Sequence, residues 1–137
     1  MPRDKIGLKL DGDVLNHQGQ YQGNYLLSNN GSINGHVYWY QQNGNHGIWF
    51  GQSWISWIFG HINDLGQEIG YIFGPYGQGI KWPTEISNGY WYWNFTSWVL
   101  ASSNDLKFLL CKYKSQIIPK GYTAFIMNHT KNSFSFN

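Results

Sequence analysis

The feature that most constrains the fold of this chain is a residue-by-residue alternation of tryptophan with tyrosine in two short segments. In residues 36–42, Val37 and Trp39 alternate with tyrosine and polar residues, and residues 90–95 repeat the arrangement with two further tryptophans and a phenylalanine. Side chains that alternate with period two lie on opposite faces of a β-strand, whereas one face of a helix needs a period of about 3.6. The alternation predicts two strands, each with an indole-bearing face and a face of tyrosine and polar side chains.

Turn-forming pairs such as Asn34-Gly35, Asn43-Gly44 and Asn88-Gly89 punctuate the rest of the chain. Asn and Gly accept the positive φ of tight hairpin turns. Between the turns lie seven further strand candidates rich in aromatic or β-branched residues, at 21–28, 47–51, 54–59, 68–73, 97–101, 107–113 and 122–127. The pattern predicts an all-β fold, a small antiparallel barrel or sandwich of about 7–9 short strands.

Helical structure is expected to be minimal. The 17 glycines and four prolines leave no window with both helical periodicity and good propensity. At most a short helical turn is predicted, at residues 102–106, where Ser and Asn could cap it. At 137 residues the chain has the size of one domain. We divide it into a polar N-terminal segment (1–13), an aromatic-rich β domain (14–113) and a C-terminal strand and tail (114–137).

Charge is sparse and concentrated near the C-terminus. Charged residues form 12% of the chain, against roughly 25% in an ordinary domain. Five of the nine basic residues follow residue 105, namely Lys107, Lys112, Lys114, Lys120 and Lys131. Because these lysines are separate from the aromatic segments, no nucleic-acid partner is predicted. The sequence has no apolar run of about 18 residues, so we expect no membrane span.

The sequence leaves the cellular compartment open. Its first residues lack the apolar stretch of a secretory signal. Cys111 is the single cysteine, so no intramolecular disulfide can form, and its setting is typical of a buried apolar side chain. Three Asn-x-Ser/Thr triplets begin at Asn30, Asn94 and Asn128. Whether they carry glycans depends on the route of the chain through the cell, which the sequence does not state.

Residues able to carry catalysis are few. A glycosidase needs two facing carboxylates, and three acidic residues could in principle supply them: Asp64, Glu68 and Glu85. Asp64, however, lies in a turn-forming stretch where Asp commonly binds its own backbone. The five histidines show no metal-ligand spacing. We therefore predict no catalytic residue, metal or cofactor, and keep a small glycoside hydrolase-like enzyme as a third hypothesis.

The aromatic residues favour a binding function. Four tryptophans are assigned to the core because they share strand faces with apolar residues: Trp39, Trp57, Trp91 and Trp93. The opposite faces would then present the predicted ligand-binding set, which is His36, Tyr38, Tyr40, Gln42, Tyr90, Tyr92 and Asn94. Trp82, in a Gly- and Pro-rich loop, either plugs one end of the barrel or joins this surface.

Flat rings beside amides suit carbohydrate stacking and protein recognition alike. The principal hypothesis is thus a non-catalytic module that binds a carbohydrate or a protein partner through an exposed aromatic face. The first alternative is a structural subunit whose aromatic face is buried in a larger assembly. A further possibility is that the N-terminal segment or the tail of the chain itself covers this face. The oligomeric state stays open.

The order of residues also carries a family resemblance. It rests on Gly23-Asn-Tyr25, Asn34-Gly35 before Tyr38, Ile48-Trp-Phe50, Trp54-Ile55, Gly70-Tyr71, Pro83, and then Trp91 or Trp93. This order, over about residues 14–100, resembles a poorly characterised Trp- and Gly-rich β-domain that recurs in large multidomain eukaryotic proteins. The resemblance implies an interaction module and no catalytic residues.

Overall fold

The computed structural model of the protein describes residues 3–77 and 82–110. Within these two ranges, nine strands form one antiparallel sheet that curls into a half-barrel. They are β1 (Lys5–Leu10), β2 (Gly23–Leu27), β3 (Trp39–Gln41), β4 (His46–Gly51), β5 (Ser56–His61), β6 (Ile72–Phe73), β7 (Trp91–Trp93), β8 (Trp98–Leu100) and β9 (Leu106–Leu110). The strand order is β8-β7-β6-β5-β4-β3-β2-β1-β9. The predicted all-β class is confirmed; the strand candidate at 122–127, the 114–137 tail and Cys111 lie outside the described residues.

The chain is a meander whose last described strand returns to pair with its first. Each strand from β1 to β8 pairs with the next along the sequence, and β9 pairs with β1. The sheet therefore has two edges, β8 and β9, although only a short turn joins these two strands in sequence. Within that turn the amide of Asp105 donates to the carbonyl of Ser102 at 2.9 Å. The predicted helical turn at 102–106 is thus a hydrogen-bonded turn rather than a helix.

Elsewhere in the described part of the chain, helical structure occurs in α1 (Gly12–Gln18) and in three single 3₁₀ turns at Gly19–Tyr21, Ile62–Asp64 and Pro83–Glu85. Asp11 precedes α1 in an extended conformation, and the helix buries Val14 and Gln18. Asp13 and His17, one turn apart, approach to 3.2 Å. At seven residues, α1 is too short to show the periodicity by which a sequence reveals a helix. No helix in the two described ranges is long and apolar enough to cross a membrane.

The polar N-terminal segment contributes the first strand of the sheet. β1 pairs with β2 on one side and with β9 on the other. Its residues alternate, so that Ile6, Leu8 and Leu10 are fully buried while Lys9 is exposed. The period-two signal was present, but the charged residues around it gave the segment a polar composition.

Both faces of the sheet carry apolar side chains. The concave face holds the interior cluster, whose largest members include Tyr25, Trp39, Trp57 and Phe59. A smaller outer-face cluster consists of Tyr38, Trp49, Ile58 and Phe73, with Ile33 and Leu65 packed against it. Over this cluster the chain runs so close to the sheet that a Cβ on Gly60 would lie 2.6 Å from the carbonyl oxygen of Ile69. A side chain at that glycine would push the covering segment off the sheet.

Candidate functional site

The first alternating segment has its tryptophan inside, as predicted. Trp39 is buried in the interior cluster, and its indole N–H donates to the carbonyl of Arg3 at 2.8 Å. Tyr40 lies on the opposite face and is exposed. Tyr38 shares that outer face, but at 9% exposure it is a member of the outer-face cluster rather than part of an open surface. The predicted exposure is therefore right for Tyr40 and wrong for Tyr38.

The second alternating segment has the opposite orientation, so the prediction for it is wrong. Tyr90 and Tyr92 are 2% and 4% exposed and belong to the interior cluster. Trp91, assigned to the core, is 42% exposed on the outer face, and Trp93 is half-buried. Phe95, expected on the same inner face as these tryptophans, is exposed.

Oxygen acceptors for the two tyrosine hydroxyl groups explain the inversion. The Tyr90 hydroxyl donates to the carbonyl of Pro83 at 2.7 Å, and the Tyr92 hydroxyl donates to the Asp13 carboxylate at 2.5 Å. A buried phenol is tolerated when its hydroxyl has a partner. Because α1 and the Pro83–Glu85 turn supply these partners, the phenols of Tyr90 and Tyr92 point inward and the indoles of Trp91 and Trp93 point outward.

The remaining predicted ligand-binding residues have structural roles in different places. His36 stacks on Phe50 with ring centroids 3.9 Å apart. Asn94 caps the turn before β8, since its side-chain oxygen accepts from the amides of Thr96 and Ser97 at 2.9 and 2.7 Å. Gln42 is exposed in the turn after β3.

Trp82 packs against the interior cluster, with its ring centroid 6.5 Å from that of Trp57. This placement favours the plug over the binding platform. Because Trp82 packs inside and the rings of Tyr90 and Tyr92 point inward, the predicted ligand-binding residues do not form one surface.

An aromatic cleft of about 350 Å³ lies on the outer face of β6, β7 and β8, next to the turn between β4 and β5. It is lined by Trp54, Phe73, Gly74, Tyr76, Trp91 and Trp98. Phe73 is buried at its floor, whereas the three tryptophans and the tyrosine are exposed. This volume is at the lower end of the range for small-ligand sites.

The strand register brings the rings of the aromatic cleft together. Phe73 on β6 lies opposite Trp91 on β7, and Trp98 on β8 lies opposite Trp93. The ring of Phe73 contacts those of Trp54 and Trp98, with centroid separations of 4.6 and 5.1 Å. Such tilted and edge-on pairs are favourable arrangements of aromatic rings.

The turn that carries Trp54 is fastened to the rest of the fold by an acidic side chain. One carboxylate oxygen of Glu68 accepts from the backbone amide of Ser53 at 2.7 Å. Ile55, two residues after Ser53, has φ +50°, a backbone conformation that residues other than Gly rarely adopt. A tight turn held by Glu68 therefore positions Trp54 over Phe73.

A second concavity, the polar cleft, lies beside the turn between β3 and β4. It encloses about 330 Å³ and is lined by Ser28, Asn30, Tyr38, Tyr40, Gln41, Gly44, His46, Ile62 and Leu65. Two predicted site residues, Tyr38 and Tyr40, thus share one cleft. Tyr40 and Asn30 are its exposed aromatic and amide members.

Hydrogen bonds fix the protonation of the imidazole in the polar cleft. The Gln41 amide nitrogen donates to the carbonyls of Gln20 and Gln22 at 3.0 and 3.1 Å. Its oxygen therefore faces Nδ1 of His46, 2.8 Å away, which must carry the proton. Burial, and then the neighbouring His61, lowers the pKa of His46. A lowered pKa favours the neutral ring, in which Nε2 is a hydrogen-bond acceptor.

The three candidate catalytic carboxylates are placed at turns. Glu68 binds the Ser53 amide, Glu85 accepts from the amide of Trp82 at 3.3 Å, and Asp64 ends the Ile62–Asp64 turn. Across residues 3–77 and 82–110, no group of three or more His, Cys, Asp or Glu side chains is arranged to hold a metal ion. These positions indicate roles in shaping turns.

Comparison of the chain with protein-family models, curated proteins and solved structures finds no match. The resemblance to the Trp- and Gly-rich β-domain therefore stays a prediction.

The aromatic cleft was not predicted, and its sequence signal is weak. Its tryptophans and its tyrosine come from four separate segments, which only the fold assembles. The usable signal is position, because Trp54 and Tyr76 lie in turns, and Trp98 follows a turn directly. Large aromatic residues beside turns are candidates for exposure, whereas those in the middle of long strands are candidates for the core.

Proposed function

We propose that this chain is a non-catalytic interaction module that binds a protein partner through the aromatic cleft. The observation that carries the proposal is the exposure of Trp54, Tyr76, Trp91 and Trp98 around the buried Phe73. Exposed apolar surface that is concentrated in one concavity is a common mark of a binding surface. Tryptophan and tyrosine are also the residues that most often dominate binding energy at protein interfaces.

The chemistry of the lining favours apolar side chains of a protein over a sugar. The six residues that line the aromatic cleft contribute no amide, carboxylate or imidazole side chain. A sugar bound there would lose water from several hydroxyls and find few partners to replace it. An apolar side chain seated on Phe73 and flanked by Trp54 and Trp98 has no such cost.

Carbohydrate binding is the second candidate, and the polar cleft is the observation that favours it. Tyr40 offers an exposed ring for stacking, Asn30 offers an amide, and His46 offers a neutral imidazole. Stacking and hydrogen bonding to hydroxyls are the two interactions that a sugar requires. The two clefts thus differ in the ligand chemistry that each supports.

Two binding screens on matched variants test both candidates. A random peptide display library tests the aromatic cleft, and a glycan array tests the polar cleft. Trp98→Ser alters the first cleft, and Tyr40→Ser alters the second. We expect selected peptides to be rich in aromatic and aliphatic residues, and to bind Trp98→Ser at least about tenfold more weakly, a change of about 1.4 kcal/mol. The same peptides should bind Tyr40→Ser as they bind the wild type.

The two variants serve as each other's control. Failure to enrich any peptide, or an equal loss of peptide binding in both variants, would rule out the aromatic cleft as the binding surface. Any glycan that binds should lose affinity in Tyr40→Ser and retain it in Trp98→Ser. An array with no responding glycan would remove the carbohydrate candidate. Far-UV circular dichroism of both variants shows whether the fold is retained.

A further inference from the structure

The register of β7 and β8 shows which backbone N–H and C=O groups of the β8 edge point away from the sheet. The amide of Asn94 donates to the carbonyl of Ser97, and the amide of Ala101 donates to the carbonyl of Tyr90, at 3.0 and 2.8 Å. Between these bonds, Val99 lies opposite Tyr92. In an antiparallel pair, alternate residues bond to the neighbouring strand and the others point their N–H and C=O groups away. Trp98 and Leu100 therefore direct theirs outward.

The outer side of β8 is open as far as the structure describes the chain. β8 ends the strand order, and no strand within residues 3–77 and 82–110 pairs with its outer side. The side chains of Trp98 and Leu100 are both exposed, and that of Leu100 is 53% exposed. An open edge with exposed apolar side chains is a template for another strand.

Apart from its short length, the β8 edge lacks the features that usually discourage strand pairing. Edge strands are commonly protected by lysine, proline, a bulge or an inward-pointing charge. Residues 94–103 contain no charged residue and no proline. The opposite edge, β9, carries an exposed lysine, Lys107. The missing charge also means that two identical β8 edges would not repel each other.

We propose that β8 pairs antiparallel with β8 of a second copy of this chain, across a two-fold axis that passes beside Val99. The outward residues lie one position before and one position after Val99, so the edge is complementary to itself. Trp98 would exchange two backbone hydrogen bonds with the partner's Leu100, and Leu100 would exchange two with the partner's Trp98. Such an interface, with the same surface on both subunits, is the commonest form of homodimer.

The proposed pairing also reaches the aromatic cleft. Residues directly opposite on paired strands have neighbouring side chains. Each Trp98, which lines its own cleft, would lie against the partner's Leu100. The dimer would extend both clefts into one apolar surface. Because β8 has three residues, the interface is small, and we expect a reversible dimer whose population depends on concentration.

Sedimentation velocity over a concentration series tests the dimer without any ligand, so the result is independent of the proposed peptide binding. The wild type is expected to change from monomer to dimer as its concentration rises. Leu100→Lys places a charge on the edge and should raise the concentration at the midpoint at least tenfold. Leu15→Lys replaces an exposed leucine on α1 instead, and it should leave the midpoint unchanged.

A disulfide then tests the register. Residues directly opposite without mutual hydrogen bonds lie about 4.5 Å apart between Cα atoms, which is within disulfide range. In a Cys111→Ser background, Val99→Cys should therefore form a covalent dimer on mild oxidation, and Leu15→Cys should not.

Three outcomes would overturn the proposal. The first is a wild type that stays monomeric at millimolar concentration. This outcome counts against the dimer whether or not Leu100→Lys weakens peptide binding. In that case the edge serves a different partner. The second is an equal effect of Leu15→Lys and Leu100→Lys, and the third is a dimer that Val99→Cys fails to cross-link.

Discussion

The tripeptide Tyr-Trp-Tyr occurs twice in this chain and has opposite orientations in its two positions. In residues 38–40 the central tryptophan is 1% exposed, whereas in residues 90–92 it is 42% exposed. Both copies alternate as strands do. Period two thus establishes that neighbouring side chains lie on opposite faces, but not which face is the interior.

The surroundings decide the orientation. Around β3 the interior offers an aromatic contact, and the ring of Trp39 meets that of Trp57 at 5.8 Å. Next to β7, the Pro83 carbonyl and the Asp13 carboxylate accept hydrogen bonds from the hydroxyl groups of Tyr90 and Tyr92. Residues distant in sequence from the tripeptide therefore determine its orientation.

The largest expected difference between the two copies is in the free energy of unfolding that is lost when the central tryptophan is replaced by alanine. Trp39→Ala should lower the free energy of unfolding by about 3–5 kcal/mol, because it removes a fully buried ring and leaves a cavity. Trp91→Ala should lower it by about 1 kcal/mol or less, because its ring is largely at the surface. Urea denaturation followed by circular dichroism measures both. Equal losses in the two variants would contradict the opposite orientations.

The comparison also shows how much of the structure the sequence could predict. Strand positions depend on local patterning and turn residues, and the alternation identified the strands that became β3 and β7. The orientation of β7 depends on α1 and on the Pro83–Glu85 turn, neither of which a short window contains. The aromatic cleft depends on the register of β6, β7 and β8. Two residues of the polar cleft, Tyr38 and Tyr40, were in the predicted ligand-binding set, because both belong to one local segment.

A smaller effect is expected from removing single hydroxyl groups. Tyr90→Phe leaves the Pro83 carbonyl without its buried donor, so it should lower the free energy of unfolding by about 1–3 kcal/mol. Tyr40→Phe removes a hydroxyl from an exposed ring and should change it by less than about 0.5 kcal/mol. The same urea midpoints provide the measurement. A loss in Tyr40→Phe as large as that in Tyr90→Phe would contradict the inward orientation of the Tyr90 side chain.

The last expected effect is a difference in alkaline stability due to Tyr92, which develops only above about pH 10. Burial, together with the hydrogen bond to Asp13 and its charge, raises the pKa of Tyr92 to about 12, from an unfolded value near 10. The folded state therefore holds this proton more tightly. Its contribution to stability is complete below pH 10 and is lost as the pH rises toward 12. Burial also raises the pKa of Tyr90, so the contribution of Tyr92 must be isolated by comparison with Tyr92→Phe.

We therefore expect the wild type to lose more stability than Tyr92→Phe between pH 10 and pH 12. Asp13→Asn serves as the matched control, because it removes the charge and retains a polar side chain beside the phenol. Ultraviolet absorbance of tyrosinate should show one tyrosine titrating at lower pH in Asp13→Asn than in the wild type. If the two titrations coincide, Asp13 does not raise the pKa of Tyr92, which would contradict the hydrogen bond between Tyr92 and α1.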